Sequence, residues 1–213
     1  MLAQHTSNVR FRGFTLIELT VVLAVIVTLA LVLTPSIANF INDARITRAR
    51  NDCQTIGSAI VQFYRENGFF PQFAVSPQSG RSPAARTRFQ LLVSRGNPPL
   101  EDMPTLWSTG QVGQLAEQLL TNAPGYPLRT PTSQFGWNGP YLSSELGSDP
   151  WGNRYVVNIG LIDSSPGAQT ATGQIKAAVW VLSAGSNGTI ETPFTQGVVS
   201  ALLGGDDIGW RIQ

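Results

Sequence analysis

The feature that most constrains this chain is an apolar run of 20 residues from Phe14 to Leu33, in which Glu18 carries the only charge. A helix over this run is about 30 Å long at about 1.5 Å per residue, which matches the hydrocarbon core of a bilayer. Arg10 and Arg12 precede the run, and such charges stay on the cytoplasmic side, so the rest of the chain is expected beyond the membrane. Two ordinary explanations are an uncleaved signal anchor and a signal peptide cut near Ser36-Ile37-Ala38.

Glu18 argues against both explanations, because a carboxylate inside an apolar helix is costly and is expected to have a partner and a function. Cleavage between Gly13 and Phe14 would give Phe14 a free amine. That amine lies one helical turn from Glu18, on the same face. Pairing with Glu18 would set the register of neighbouring copies in an apolar bundle. The sequence leaves open whether the amine comes from a neighbouring copy or from the same helix.

The segment Gly13-Phe14-Thr15-Leu16-Ile17-Glu18-Leu19 resembles the processing site of type IV prepilins and pseudopilins. The resemblance implies that residues 1–13 are a leader, and that a prepilin peptidase cuts after Gly13 and methylates Phe14. It also implies that Glu18 fills the place of the glutamate that this family carries. Similar pilins have a proline where this chain has Pro35, and there the helix can unwind during filament assembly.

The apolar run is expected to continue as one long helix. Residues 14–34 are assigned to the transmembrane and filament-core segment, and residues 35–68 to an amphipathic continuation with apolar positions at three- and four-residue spacing. Pro35 predicts a kink or a local melt. Cys53, the only cysteine, falls on the apolar spacing and predicts a small core residue. Asn67-Gly68 predicts the end of the helix.

Composition excludes several function classes. The chain has 14 basic and 13 acidic residues, so it lacks the excess of positive charge that favours nucleic-acid binding. Its one histidine, His5, lies in the expected leader, and the mature chain would have no imidazole for triad or zinc catalysis. An enzyme would need carboxylates alone, such as Glu101-Asp102 or Asp206-Asp207. We therefore predict that the chain is not an enzyme.

The predicted fold class is α+β, with the long N-terminal helix packed on a small antiparallel sheet. Residues 69–136 are predicted to be a variable loop region with two short helices. The first would begin at Ser82-Pro83 and end at Gly96, with Phe89, Leu92 and Val93 on its apolar face, and the second would carry Leu115 and Leu119 and stop at Asn122. Residues 137–213 are predicted to supply the sheet and a C-terminal loop. The predicted strands are residues 154–159, 175–183 and 209–212, with a turn at residues 149–152.

Two further motifs, Gly136 to Leu142 and Asp149 to Tyr155, resemble the signature of type II secretion major pseudopilins. The resemblance implies a subunit anchored in the inner membrane with its C-terminal domain in the periplasm, which then enters a periplasmic or surface filament. The implied partners are copies of the chain, other pseudopilins and the inner-membrane secretion platform. The alternative is a minor pilin at a filament tip, in which residues 73–134 contact cargo or an adhesion target.

Major pseudopilins also bind calcium, and the resemblance places candidate ligands at Asn187, Asp206 and Asp207. Calcium takes about 6–8 oxygen ligands, which carboxylates and backbone carbonyls supply. Asn187 stands where the family has an aspartate, so it offers a carbonyl oxygen without charge. The alternative for these residues is a Gly-Asn turn and an exposed acidic pair.

Overall fold

The computed structural model describes residues 13–73, 88–101, 107, 111–162 and 177–213. The chain divides into two compact units, residues 1–44 and residues 45–213. The first unit, as far as it is described, consists of the start of helix α1 (Leu16–Asn67, 52 residues) and the residues just before it. The second unit contains the end of α1 and every strand that the structure describes.

Helix α1 confirms the predicted long helix and its end. Gly68 follows the last helical residue with a φ of 76°, and its N–H donates to the Tyr64 carbonyl at 2.8 Å. Glycine adopts this left-handed conformation without the steric penalty that a Cβ would bring. The helix is unbroken across Pro35, so the predicted local melt is absent from it.

The second unit is built on a five-stranded sheet of order β3-β1-β4-β5-β7, and β2 pairs separately with β6. The strands are β1 (Leu91–Val93), β2 (Leu100–Glu101), β3 (Val112–Gln114), β4 (Val156–Val157), β5 (Trp180–Ser183), β6 (Thr189–Ile190) and β7 (Ile208–Arg211). The antiparallel pairing expected from the sequence holds for β4–β5 and β5–β7, and β1 also pairs antiparallel to β4. Because β3 pairs parallel to β1, the sheet is mixed rather than antiparallel. The α+β class is confirmed.

The predicted helix between Ser82-Pro83 and Gly96 is wrong over its described part, because Leu91–Val93 forms strand β1, and its first residues, 82–87, lie outside the described part of the chain. All three of its side chains are buried, and the strand lies between β3 and β4 with pairing on both edges. A strand covered on both faces reads as a continuous apolar run, which periodicity does not distinguish from a short buried helix. The second predicted helix is confirmed as α2 (Leu115–Leu119), and Asn122 then adopts a positive φ of 53°.

The predicted strands beyond residue 137 are present in shortened form. Strand β4 is two residues long and leads into a 3-10 helix over Ile159–Leu161. Strand β5 covers the end of the predicted segment, whose first two residues lie outside the described part of the chain. The predicted turn closes with a hydrogen bond from the Gly152 N–H to the Asp149 carbonyl at 3.1 Å.

Helix α1 packs on one face of the sheet through side chains that are fully buried. The helix contributes Cys53, Ile56, Ile60 and Phe63, and the sheet contributes Leu92, Val157 and Val181. The alternate residues of the same strands, with Trp107, Ile190 and Phe194, form a second core cluster. Since neighbouring side chains of a strand point to opposite faces, the sheet is covered on both faces. Cys53 is thus a core residue, as predicted, and burial raises the pKa of its thiol.

Candidate functional site

The start of α1 positions Glu18 through a reciprocal pair of hydrogen bonds with Thr15. The Glu18 N–H donates to Thr15 Oγ1 at 3.3 Å, and the Thr15 N–H donates to Glu18 Oε2 at 2.9 Å. The Thr15 hydroxyl also donates to the same carboxylate oxygen at 2.8 Å. Thr15 immediately precedes the first helical residue, so this is a capping box, which satisfies two N–H groups that a helix start leaves without partners.

The capping box gives Glu18 a local partner that was not among the sequence predictions. The charge of Glu18 indicated a cation as its partner, yet a threonine followed three residues later by a glutamate is itself a sequence signal for this cap. Of the residues before the helix, the structure describes Gly13 to Thr15, and these are exposed. Phe14 is 88% exposed, and a Cβ placed on Gly13 would have no neighbour within 4 Å. The predicted cleavage bond is therefore accessible outside the helix.

The first half of α1 is long and apolar enough to cross a membrane. Its hydroxyl groups are satisfied within the helix. Thr20, Thr28 and Thr34 donate to carbonyls three or four residues earlier, at 2.9, 2.9 and 2.7 Å. A lipid-facing helix requires this, because hydrocarbon offers no partner to a polar group.

The predicted calcium residues do come together, but through hydrogen bonds. Asp206 Oδ2 accepts the N–H and the hydroxyl of Ser186 at 2.7 and 2.6 Å, and the N–H of Asn187 at 3.1 Å. The side-chain carbonyl of Asn187 accepts the Thr189 N–H at 2.7 Å, within its own turn. This carbonyl therefore has one of its two lone pairs engaged within the turn.

Asp207 holds a different segment. Its Oδ2 accepts the N–H of Glu191 at 3.0 Å, and the N–H and hydroxyl of Thr192 at 2.7 and 2.6 Å. Burial raises the pKa of Asp207 despite these bonds. Burial also acts to raise the pKa of Asp206, but the bonds from Ser186 and Asn187 outweigh it and the pKa is lowered. The two adjacent aspartates, which lie just before β7, thus hold the segments at Ser186 and Thr192 by hydrogen bonds. Their pKa values are shifted in opposite directions.

The fit to calcium rests on two oxygen atoms. Asp206 Oδ1 and Asp207 Oδ1 are buried and have no hydrogen-bond partner among the described residues. Carboxylate oxygens of this kind suit a hard cation. The described residues include no group of three or more His, Cys, Asp or Glu placed to share an ion, so backbone carbonyls would have to supply further ligands. Of the other carboxylate pair, Glu101 lies in β2 and Asp102 lies outside the described residues.

Residues 8–34 match the family model described as the prokaryotic N-terminal methylation motif. The motif supports a pilin-like family. The matched segment contains Gly13, Phe14 and Glu18, so it covers the residues that the sequence assigned to processing and assembly. No curated protein and no solved structure matches the chain. A pilin-like motif implies processing by a prepilin peptidase, anchoring in a membrane before assembly, and self-assembly into filaments.

Proposed function

We propose that this pilin-like chain is a structural subunit of a type II secretion pseudopilus. It is anchored in the inner membrane, carries its globular unit in the periplasm, and promotes protein export by joining a filament with its own copies. Other pseudopilins and the inner-membrane secretion platform are its further partners. The observation that carries the proposal is the exposed apolar half of α1 with Glu18 in its first turn.

The exposed half of α1 needs an apolar environment. Its large aliphatic side chains from Leu16 to Leu33 are between 51% and 81% exposed. Exposed apolar surface of this extent is covered by lipid or by other protein. Lipid covers it before assembly, and the same segment of other copies covers it in the filament. The helix therefore serves first as an anchor and then as the filament core.

Glu18 changes partner during this transfer. In the single chain its carboxylate accepts hydrogen bonds from Thr15, which lowers the cost of carrying a charge next to hydrocarbon. Cleavage after Gly13 creates a cation at Phe14, and in the filament this amine of a neighbouring copy pairs with Glu18. A charge pair in an apolar bundle specifies register, because a shifted copy would leave both charges unpaired.

The two motifs that resemble major pseudopilins support the secretion assignment through that resemblance, and the first of them packs against α1. Trp137 packs edge-on against Phe63 with ring centroids 5.9 Å apart, and the Asn67 amide donates to the Tyr141 hydroxyl at 2.9 Å. In the second motif, Asp149 Oδ1 accepts the N–H groups of Trp151 and Asn153. The motifs thus have a structural use in this chain.

Mass spectrometry of the N-terminus tests the processing step. Co-expression with a prepilin peptidase should remove residues 1–13 and leave a methylated Phe14. Gly13→Leu, which places a bulky side chain at the cleavage site, should remain full length. An intact N-terminus in the parent chain, in the presence of an active peptidase, would refute the proposal.

Filament imaging tests the role of Glu18. Glu18→Ala should insert into the membrane and fold normally, yet form few or no filaments. Thr28→Ala is the matched control, because it removes another polar side chain from the same exposed segment and should assemble normally. Normal filaments from Glu18→Ala would show that this carboxylate does not set register.

We also propose that Asp206 and Asp207 bind calcium together with nearby backbone carbonyls. The support is the pair of buried carboxylate oxygens without hydrogen-bond partners in the described part of the chain. Asn187 is not included, since its carbonyl accepts the Thr189 N–H. Bound calcium would lower the cost of the buried charge on Asp207.

A further inference from the structure

Glu191 lies beside the two aspartates at which calcium is proposed to bind. It directly follows β6, and Ile190 before it is buried in the second core cluster. The Glu191 N–H donates to Asp207 Oδ2 at 3.0 Å, and Glu191 Oε2 accepts the Asp206 N–H at 3.2 Å. Glu191 is therefore bonded to both aspartates, once through its backbone and once through its carboxylate.

Two glycines allow this close approach. A Cβ at Gly204 would overlap the carbonyl group of Glu191, and a Cβ at Gly205 would overlap its carboxylate. Gly205 also has a positive φ of 43°, which disfavours other residues. The Gly204 N–H donates to Thr192 Oγ1 at 2.9 Å, which holds the two segments together. The fold thus keeps the Glu191 carboxylate directly over the backbone that leads into Asp206.

Three negative charges therefore converge at this place. No ion pair in the described part of the chain includes the carboxylate of Glu191, Asp206 or Asp207. The charge on Glu191 repels the charge on Asp207, a residue that is only 7% exposed. Asp206 Oδ1 and Asp207 Oδ1 are buried and accept no hydrogen bond from the described residues. Because repulsion between like charges is strongest where water is excluded, this arrangement favours a cation.

Glu191 is placed outside the set of direct ligands. As the described residues are arranged, the three carboxylates do not surround one ion, and Glu191 Oε2 is directed at the Asp206 N–H. A group in this position holds a ligand in place and adds to the field at the metal. The number of charges and the rigidity of a calcium site both set its affinity.

We propose that Glu191 raises the calcium affinity of the Asp206 and Asp207 site by adding a third negative charge next to it. This inference rests on the proposed binding of calcium by these aspartates. The same charge acts against the native state when calcium is absent, because it then only repels Asp207. Glu191 therefore has opposite effects in the two states, which a residue with a purely structural role would not have.

Calorimetric titration of the full chain in detergent with calcium chloride tests the role of Glu191. Glu191→Gln keeps an oxygen that accepts the Asp206 N–H but loses the charge, so its dissociation constant should rise about tenfold or more. In excess chelator, its melting temperature should equal or exceed that of the parent chain. Glu117→Gln is the matched control, because it removes the same charge from α2, outside the segments that hold the aspartates, and it should bind calcium like the parent.

The outcomes separate this inference from the calcium proposal itself. If Glu191→Gln bound calcium as tightly as the parent chain, the role of Glu191 would be overturned and the calcium site would stand. A lower melting temperature of Glu191→Gln in chelator would also overturn it, since the loss would then be structural. An equal loss of affinity in Glu117→Gln would assign the effect to net charge and not to Glu191. If the parent chain bound no calcium, the proposed site would fail first.

Discussion

The two halves of α1 share one backbone conformation but differ in what covers them. From residue 45 onward one face of the helix is buried, and Cys53, Ile56, Ile60 and Phe63 have no exposed surface. Before residue 45, every residue whose exposure is described is exposed. A helix that is apolar all round requires surroundings outside its own chain. The second half is therefore stabilised by its own fold, and the first half by lipid or other copies.

This difference separates stability from assembly. Substitutions in the second half should change the free energy of unfolding of the globular unit. Substitutions in the first half should leave that quantity unchanged and act on membrane insertion or filament formation. The predictions below test this division, beginning with the largest expected effect.

The largest effect is expected from Phe63→Ala. Phe63 is fully buried, and its ring contacts those of Phe69, Tyr126, Trp137 and Tyr141 at centroid distances of 5.0 to 5.9 Å. Removing a buried phenylalanine costs about 3–5 kcal/mol. Chemical denaturation should show this loss for Phe63→Ala, whereas Leu29→Ala, an exposed position of the first half, should unfold like the parent chain. A similar loss from Leu29→Ala would remove the distinction between the halves.

Calcium should act on the globular unit alone. A ligand at about 100 times its dissociation constant stabilises the native state by about 2.7 kcal/mol. The melting temperature of the globular unit should therefore rise with calcium and fall with a chelator. Asp207→Asn should abolish the rise, while Asn187→Ala should keep it. If neither calcium nor a chelator changed the melting temperature, Asp206 and Asp207 would not be calcium ligands.

The pH dependence without calcium gives a second check on Asp207. Because its pKa is raised by burial, the native state holds this proton more tightly than the unfolded state does. Protonated Asp207 thus contributes to the free energy of unfolding below the unfolded pKa of about 3.9, and this contribution is lost as the pH rises through the folded pKa. Asp207→Asn should remove this pH-dependent loss of stability, and added calcium should reduce it in the parent chain.

A smaller effect on stability is expected from the hydrogen bond that joins α1 to the residue before β4. The Tyr155 hydroxyl donates to Asp52 Oδ2 at 2.7 Å. Tyr155→Phe should lower the free energy of unfolding by about 0.5–3 kcal/mol, and the upper part of this range applies because the acceptor is a carboxylate. Burial, followed by the bond to Asp52, raises the pKa of Tyr155. Stability should therefore be lost as the pH rises above about 10, and Tyr155→Phe should reduce this alkaline loss. An unchanged alkaline profile would assign the loss to other groups.

Much of α1 could be predicted from the sequence, because its information is local. The apolar run, the change of periodicity after Pro35 and the Asn67-Gly68 stop all lie within the helix itself. Strand β1 could not be predicted in the same way. Three apolar residues carry no usable period, and their conformation is decided by pairing with β3 and β4, which lie elsewhere in the chain.

The candidate site shows the same limit. The cleavage pair and Glu18 were predicted from adjacent residues, and the family motif covers them. Asp206 and Asp207 were also predicted as a site, but their hydrogen-bond partners at Ser186 and Thr192 are 20 and 15 residues away and emerged only from the fold. The Asn187 carbonyl was predicted as a calcium ligand, and only the fold shows that the tight turn at Thr189 engages one of its two lone pairs.

The smallest effect is expected at Thr15, and it bears on how the first half of α1 leaves the membrane. Thr15→Val keeps the size of the side chain but removes the hydroxyl that donates to Glu18 and accepts its N–H. The carboxylate then loses part of its local support before a neighbouring amine is available, so filament yield should fall, though less than in Glu18→Ala. Thr15→Ser restores the hydroxyl and should assemble like the parent chain. Quantitative imaging of filaments, at matched levels of inserted protein, would decide. If Thr15→Val and Thr15→Ser gave equal yields, the capping box would be a feature of the single chain without influence on assembly.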